Sequence, residues 1–198
     1  MRAVYAVGLL LAVALSSVSG ARAAATDATA FMNDLGSRVV ALVRDGQRPE
    51  AERRTEFQKI ANDAFDIPKI AQFVLGRYWR VASDEEKAGF IKAFQNYMIA
   101  VYWSRFASYS GESFKVSAQQ DEGNGTILVT TEIVPANGNP IKVSWSVIKQ
   151  GDSFKIRDAS LEGVSQALAY RDEFASYMER NGGKISALIA DLNARAKG

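Results

Sequence analysis

The sequence predicts an α+β fold, a four-stranded antiparallel meander sheet wrapped by N- and C-terminal helices. Three observations predict it. Apolar residues recur at three- and four-residue steps as far as Tyr109, alternate every second residue from Ser113 to Ala159, and return to helical spacing from Gln166 to Arg195. Tight-turn signals such as Asn124-Gly125 and Asn137-Gly138 punctuate the alternating part. A meander with one apolar face needs a cover, and the flanking helices supply it.

Residues 1–23 read as a secretory signal peptide: Arg2 gives a positive start, Ala3 to Leu15 is almost wholly apolar, and Ala21-Arg22-Ala23 has the small-x-small form of a cleavage site. Cleavage is expected after Ala23, with Ala25 as the second choice. Residues 24–198 are then a single domain of a size that sustains its own core. The signal carries away Arg2 and Arg22, so 24 basic residues become 22 against 22 acidic ones. A neutral chain gives no support for nucleic-acid binding, which needs a basic excess on one face. The sequence has no Cys and no His, which removes disulfides, Ser-His-Asp and Cys-His catalysis and the usual zinc ligand sets. No metal site or cofactor is expected.

A first helix is expected over Thr26 to Arg44, stopped by Gly46, and a second over Pro49 to Asn62. Asp66 can cap a short third helix that tolerates Pro68 in its first turn and ends at Gly76. The longest helical pattern, Ser83 to Tyr109, opens with a Ser83/Glu86 capping box. Phe90, Phe94, Tyr97, Val101 and Tyr102 share one face of it, too broad for a single neighbour. These rings either fill the core or line part of a cavity for an apolar ligand, and the helix alone does not choose.

Strands are expected over Ser113 to Gln120, Thr126 to Val134, Ile141 to Ile148 and Ser153 to Ala159. Leu161 to Ser165 leads into a helix from Gln166 to Arg180. Asn181-Gly182-Gly183 breaks it, and Lys184 to Arg195 closes the chain.

Three stretches together resemble the MlaC-like, or toluene-tolerance, family of periplasmic lipid-binding proteins. They are Phe65-Asp66 with Val74-Leu75-Gly76-Arg77-Tyr78-Trp79-Arg80; Glu162-Gly163-Val164-Ser165 with Tyr170-Arg171 and Phe174; and Gly183 with Leu188, Ile189 and Leu192. The likeness runs from about Phe31 to Leu192. It implies a monomeric periplasmic phospholipid carrier that serves outer-membrane lipid asymmetry. Such a carrier moves glycerophospholipid between an outer-membrane lipoprotein–porin complex and the lipid-binding ring of an inner-membrane ABC transporter, its acyl chains held in a deep apolar cavity. A hopanoid-associated branch of the same family is the alternative.

From facing alone, the cavity lining is expected to be Phe90, Phe94, Tyr97, Val101, Ile133, Val143, Trp145 and Val164, with Tyr78, Arg77 and Arg171 at the mouth. Tyr78 and Trp79 beside Arg77 and Arg80 suit a place where apolar chain meets polar head, and equally suit cations stacked on surface rings. Two readings of other classes compete. An enzyme would need a buried Asp base with a Tyr donor, drawn from Asp66, Asp158, Tyr97 and Tyr102. An envelope adaptor would have a filled core and no ligand.

Overall fold

The computed structural model describes residues 19–107, 113–134 and 139–197. Residues 1–18 of the expected signal, the predicted helix end at Tyr109 and most of the turn that starts at Pro135 lie outside them. The helices are α1 (Ser19–Arg44), α2 (Glu50–Ala64), α3 (Ile67–Leu75), α4 (Asp84–Ala107), α5 (Gln166–Arg180) and α6 (Ile185–Arg195), and a 3-10 turn (Gly76–Arg80) follows α3. The strands are β1 (Ser113–Asp121), β2 (Thr126–Val134), β3 (Ile141–Gln150), β4 (Ser153–Leu161) and β5 (Val164–Ser165). They pair antiparallel in the order β1-β2-β3-β4-β5.

The sheet therefore has five strands, one more than expected. Glu162 and Gly163 both take positive φ, 48° and 83°, the backbone of a two-residue hairpin turn. The chain reverses there, so Val164 pairs with Leu161 and Ser165 with Ser160. What reads as a lead-in to a helix is a short edge strand.

Helix α1 already includes the residues from Ser19 to Ala25 that precede the expected start at Thr26, because the Ala-rich run before Thr26 has high helix propensity and nothing in it stops a helix. Both expected cleavage positions fall inside that helix. It approaches the sheet closely at Gly36, where an added Cβ would lie 2.3 Å from the Phe114 ring. The start of α4 is the capping box: the Ser83 amide donates to Glu86 Oε2 at 2.9 Å and the Glu86 amide donates to Ser83 Oγ at 3.1 Å. Ser165 caps α5 in the same spirit, its hydroxyl accepting from the Leu168 amide at 3.1 Å.

Asp66 stands at the N-cap of α3, but its side chain makes no cap bond. Arg157 Nε and Nη2 both donate to its Oδ2 at 3.1 Å, and a charge-assisted pair outcompetes a neutral amide for the carboxylate. The Asp66 amide donates to the Ile156 carbonyl at 3.0 Å, which ties the start of α3 to β4.

The apolar interior is divided in two. One cluster joins Met32, Leu35, Phe57, Ile60, Ile99 and Trp103 of the helices to Ile127, Val129, Val147 and Ile156 of the sheet. The other is helical and contains Val74, Phe90, Phe94, Tyr97, Phe174, Met178, Leu188 and Leu192. Helix α4 serves both, and this is why its apolar stripe is so wide.

Candidate functional site

Across β2 to β5 one face of the sheet is largely apolar, whereas β1 sets Gln119 and Asp121 beside Val129 and Ile127, and the helical cover does not extend over the whole face. The register places Val129 beside Trp145, Thr131 beside Val143 and Ile133 beside Ile141. It then carries the face on through Trp145 to Ala159, Val143 to Leu161, and Leu161 to Val164. At one end Ile127, Val129, Val147 and Ile156 are buried under α1, α2 and α4. At the other end burial falls away. Ile141 is 42 % exposed, Leu161 37 % and Val164 60 %, and Leu168 in the first turn of α5, four residues after Val164, is 51 % exposed. Scattered single apolar residues on a surface are ordinary; a set that continues a buried sheet face is an open end of the core.

The floor behind this end carries the polar groups. Thr131 is fully buried; it donates to the Val143 carbonyl at 3.3 Å and accepts the Trp145 indole N–H at 2.9 Å. Trp145 also meets Phe65 edge-on, with centroids 6.3 Å apart. Tyr102 of α4, packed against the sheet cluster, is hydrogen-bonded to Tyr170 of α5, packed against the helical cluster. Burial raises the pKa of both hydroxyls above the ordinary tyrosine value, and the neighbouring Tyr102 and Tyr97 raise Tyr170 further. Both stay protonated and act as neutral hydrogen-bonding groups. Asp158 of β4 accepts from the Ala159 amide (2.8 Å), the Ala167 amide (3.0 Å) and the Ser165 hydroxyl (2.5 Å), so it fixes the start of α5 next to β5.

The expected lining residues separate into three groups. Ile133, Val143, Trp145 and Val164 come together on the sheet end with Ile141, Leu161 and Leu168, which facing arguments had not selected. Phe90, Phe94, Tyr97 and Val101 lie in the helical cluster instead. There Phe90 stacks on Phe94 at 6.0 Å, and Phe174 meets both edge-on at 6.0 and 6.1 Å. Tyr97 is hydrogen-bonded to Arg195, whose guanidinium lies 4.4 Å from its ring centroid.

Arg77, Tyr78 and Arg171 form the third group, on the outer surface around the 3-10 turn. Arg77 donates to Glu179 at 2.9 Å and to the Tyr78 hydroxyl at 3.0 Å. Arg171 stacks over Phe73 at 5.1 Å. The signal that would have found Leu161 and Leu168 is the Glu162-Gly163 pair: read as a hairpin turn, it places Leu161 opposite Val164 at the sheet edge.

The carboxylates that an acid–base mechanism would need are engaged. Asp66 is buried, contrary to its reading as an exposed cap, and it is paired with Arg157. Asp158 is occupied by the three donors just described. Among the described residues no helix is long and apolar enough to cross a membrane.

An antiparallel sheet with helices on one face and an apolar end left open defines an α+β cleft protein. The same fold is found in the phospholipid-binding protein from Ralstonia solanacearum, solved in complex with a phospholipid, with a TM-score of 0.74 at 18% identity over 86% of this chain and 97% of that one. The family model described as MlaC protein matches residues 33–194. The chain belongs to the MlaC family. A curated relative, toluene tolerance protein ttg2D of Pseudomonas putida, is 24% identical over 127 residues, which span 64% of this chain and 58% of the relative's length.

Proposed function

We propose that this chain is a periplasmic carrier of glycerophospholipid, exported through residues 1–23 and active as the single domain 24–198. The observation that carries the reading is the open apolar end of the sheet, where Ile141, Leu161, Val164 and Leu168 stay exposed beside the buried Val143. The names of the two relatives agree with it. Two acyl chains hold roughly thirty methylenes, and at about 0.8 kcal/mol each their exposure would cost more than about 20 kcal/mol. A carrier must therefore enclose the chains and release them only onto another apolar surface.

In this reading the chains enter at the open end and run between the sheet face and the α4–α5 layer, past Trp145 and the Tyr102–Tyr170 pair. The headgroup stays near solvent. The lipid passes between an outer-membrane lipoprotein–porin complex and the ring of an inner-membrane ABC transporter, and the carrier itself is a monomer without catalytic chemistry.

Native mass spectrometry of protein purified from a periplasmic extract without detergent, followed by organic extraction, tests this. Near-stoichiometric phospholipid supports it, and a polycyclic lipid moves the chain to the hopanoid branch. An apo mass, together with failure to take up lipid from vesicles, overturns it.

A further inference from the structure

A second site lies away from the open end of the sheet, where α2, α4 and the end of α6 enclose a surface groove of about 210 Å³. Arg54 and Gln58 come from α2, Asn96 from α4, and Asn193 and Lys197 from α6 and its end, over a floor that includes the buried Ile99. We propose that this groove binds a phosphate ester, with the oxyanion between Arg54 and Lys197 and its carbon stem on Ile99.

Among the described residues, none of the five polar side chains has a hydrogen bond, ion pair or ring contact with another. Nearby groups of the same kinds are matched: Arg48 with Asp45 at 3.0 Å, Lys59 with Glu56 at 3.3 Å, Arg195 with Glu173 at 2.7 Å and Gln95 with Asn62 at 2.7 Å. The helical partner that Arg54 would normally take is Glu50, four residues earlier, but Glu50 accepts the Trp103 indole N–H at 3.1 Å. Asp191, the nearest acid on α6, faces Arg195 at 3.4 Å. Lys197 has no acid three or four residues before it.

Among the described residues the groove thus offers a guanidinium, an ammonium and three carboxamides, all able to donate, and no carboxylate. That set matches a ligand rich in acceptor oxygens. The carbonyl end of α6 forms one wall and opposes an anion with about half a charge. Two cations outweigh it, and the remaining excess favours a phosphate over a single carboxylate. The volume suits a phosphate with a short stem and not an acyl chain. The phosphate can belong to a small soluble ester or to the headgroup of a membrane lipid. This proposal does not rest on the carrier reading, since none of its groups is among those at the open end of the sheet.

The test is a chemical-shift titration of the full chain with sn-glycerol 3-phosphate at low salt, beside flotation with vesicles of phosphatidylglycerol or of phosphatidylcholine. The paired variant is Arg54→Gln with Lys197→Gln, and Lys149→Gln is a control for general surface charge. Saturable shifts of the Gln58, Asn96 and Asn193 side-chain amides near about 1 mM, weakened tenfold or more by the pair and not by the control, support a soluble ester. Phosphatidylglycerol flotation that depends on the same pair, without those shifts, supports a lipid headgroup. The proposal is overturned by the absence of both, or by equal losses in the pair and the control. Lipid content by native mass spectrometry reads the carrier function separately.

Discussion

Trp145 donates its indole N–H to Oγ1 of Thr131 across adjacent strands at 2.9 Å, and the Thr131 hydroxyl donates in turn to the Val143 carbonyl at 3.3 Å. This pair of hydrogen bonds lies among the aliphatic and aromatic side chains of Val129, Val143 and Leu161 and fixes the orientation of the Trp145 ring. Thr131→Val keeps the shape but leaves a buried indole N–H without its acceptor, at a cost of about 1–3 kcal/mol in urea unfolding. Thr131→Ser should recover most of that loss. Equal loss in both variants would place the effect in packing and not in the hydrogen bond.

The helical core and the open end of the sheet should respond differently to substitution. Phe94 is 1 % exposed among three other rings, so Phe94→Ala should destabilise by about 3–5 kcal/mol. Val164→Asp and Leu168→Asp alter side chains that are already exposed and should change stability by no more than about 0.5 kcal/mol. They should nevertheless deplete co-purified phospholipid. Retained lipid in both Asp variants would remove this end of the sheet from the proposed path.

Val143→Trp probes the passage itself. Val143 lies between Thr131 and Leu161 in the register, next to the open end. If the space beside it receives acyl chains, the variant should fold, show a melting temperature within a few degrees of the parent, and carry less lipid. A variant that fails to fold would show that the face is filled core.

The raised pKa values of Tyr102 and Tyr170 set an alkaline limit. Below the ordinary tyrosine value both folded and unfolded chains hold these protons, and stability does not depend on the two groups. Above about pH 10 the unfolded chain loses them while the folded chain keeps them, so stability falls as pH rises toward the folded values. Urea midpoints taken in steps from about pH 8 to 11 should decline above about 10, and Tyr170→Phe should decline less steeply. An unchanged slope would mean that other groups control the alkaline limb.

Gly36→Ala tests the contact between α1 and the sheet. A methyl at that position would sit 2.3 Å from the Phe114 ring, so the ring or the helix must move. The expected loss is about 1–3 kcal/mol, although Ala is the better helix former. A gain in melting temperature would show that the ring yields freely.

Much of the fold was legible in the sequence because the signals are local. The Ser83/Glu86 box, the Asp121–Thr126 turn and the alternation of β2 and β3 each depend on residues a few positions apart, and all three occur as expected. The fifth strand was missed because Glu162, a non-glycine residue at positive φ, gives no turn signal of its own. Asp66 occupies the expected N-cap position but makes no cap bond, because Arg157, the partner that takes its carboxylate, lies 91 residues away.

Of the eight lining residues expected from facing, the register brings Ile133, Val143, Trp145 and Val164 onto one end of the sheet. Facing could not divide the α4 stripe, since periodicity says which side chains share a face and not what lies opposite them. Local spacing sufficed for the order of the helices and of the first four strands, for the Ser83/Glu86 box and for the family. Only the tertiary structure decided that Phe90 and Phe94 meet Phe174 in one core while Ile99 and Trp103 enter another, and that the sheet is covered at one end and open at the other. Those outcomes depend on how much neighbouring surface each side chain can remove from water, a property of the assembled layers that no local spacing contains.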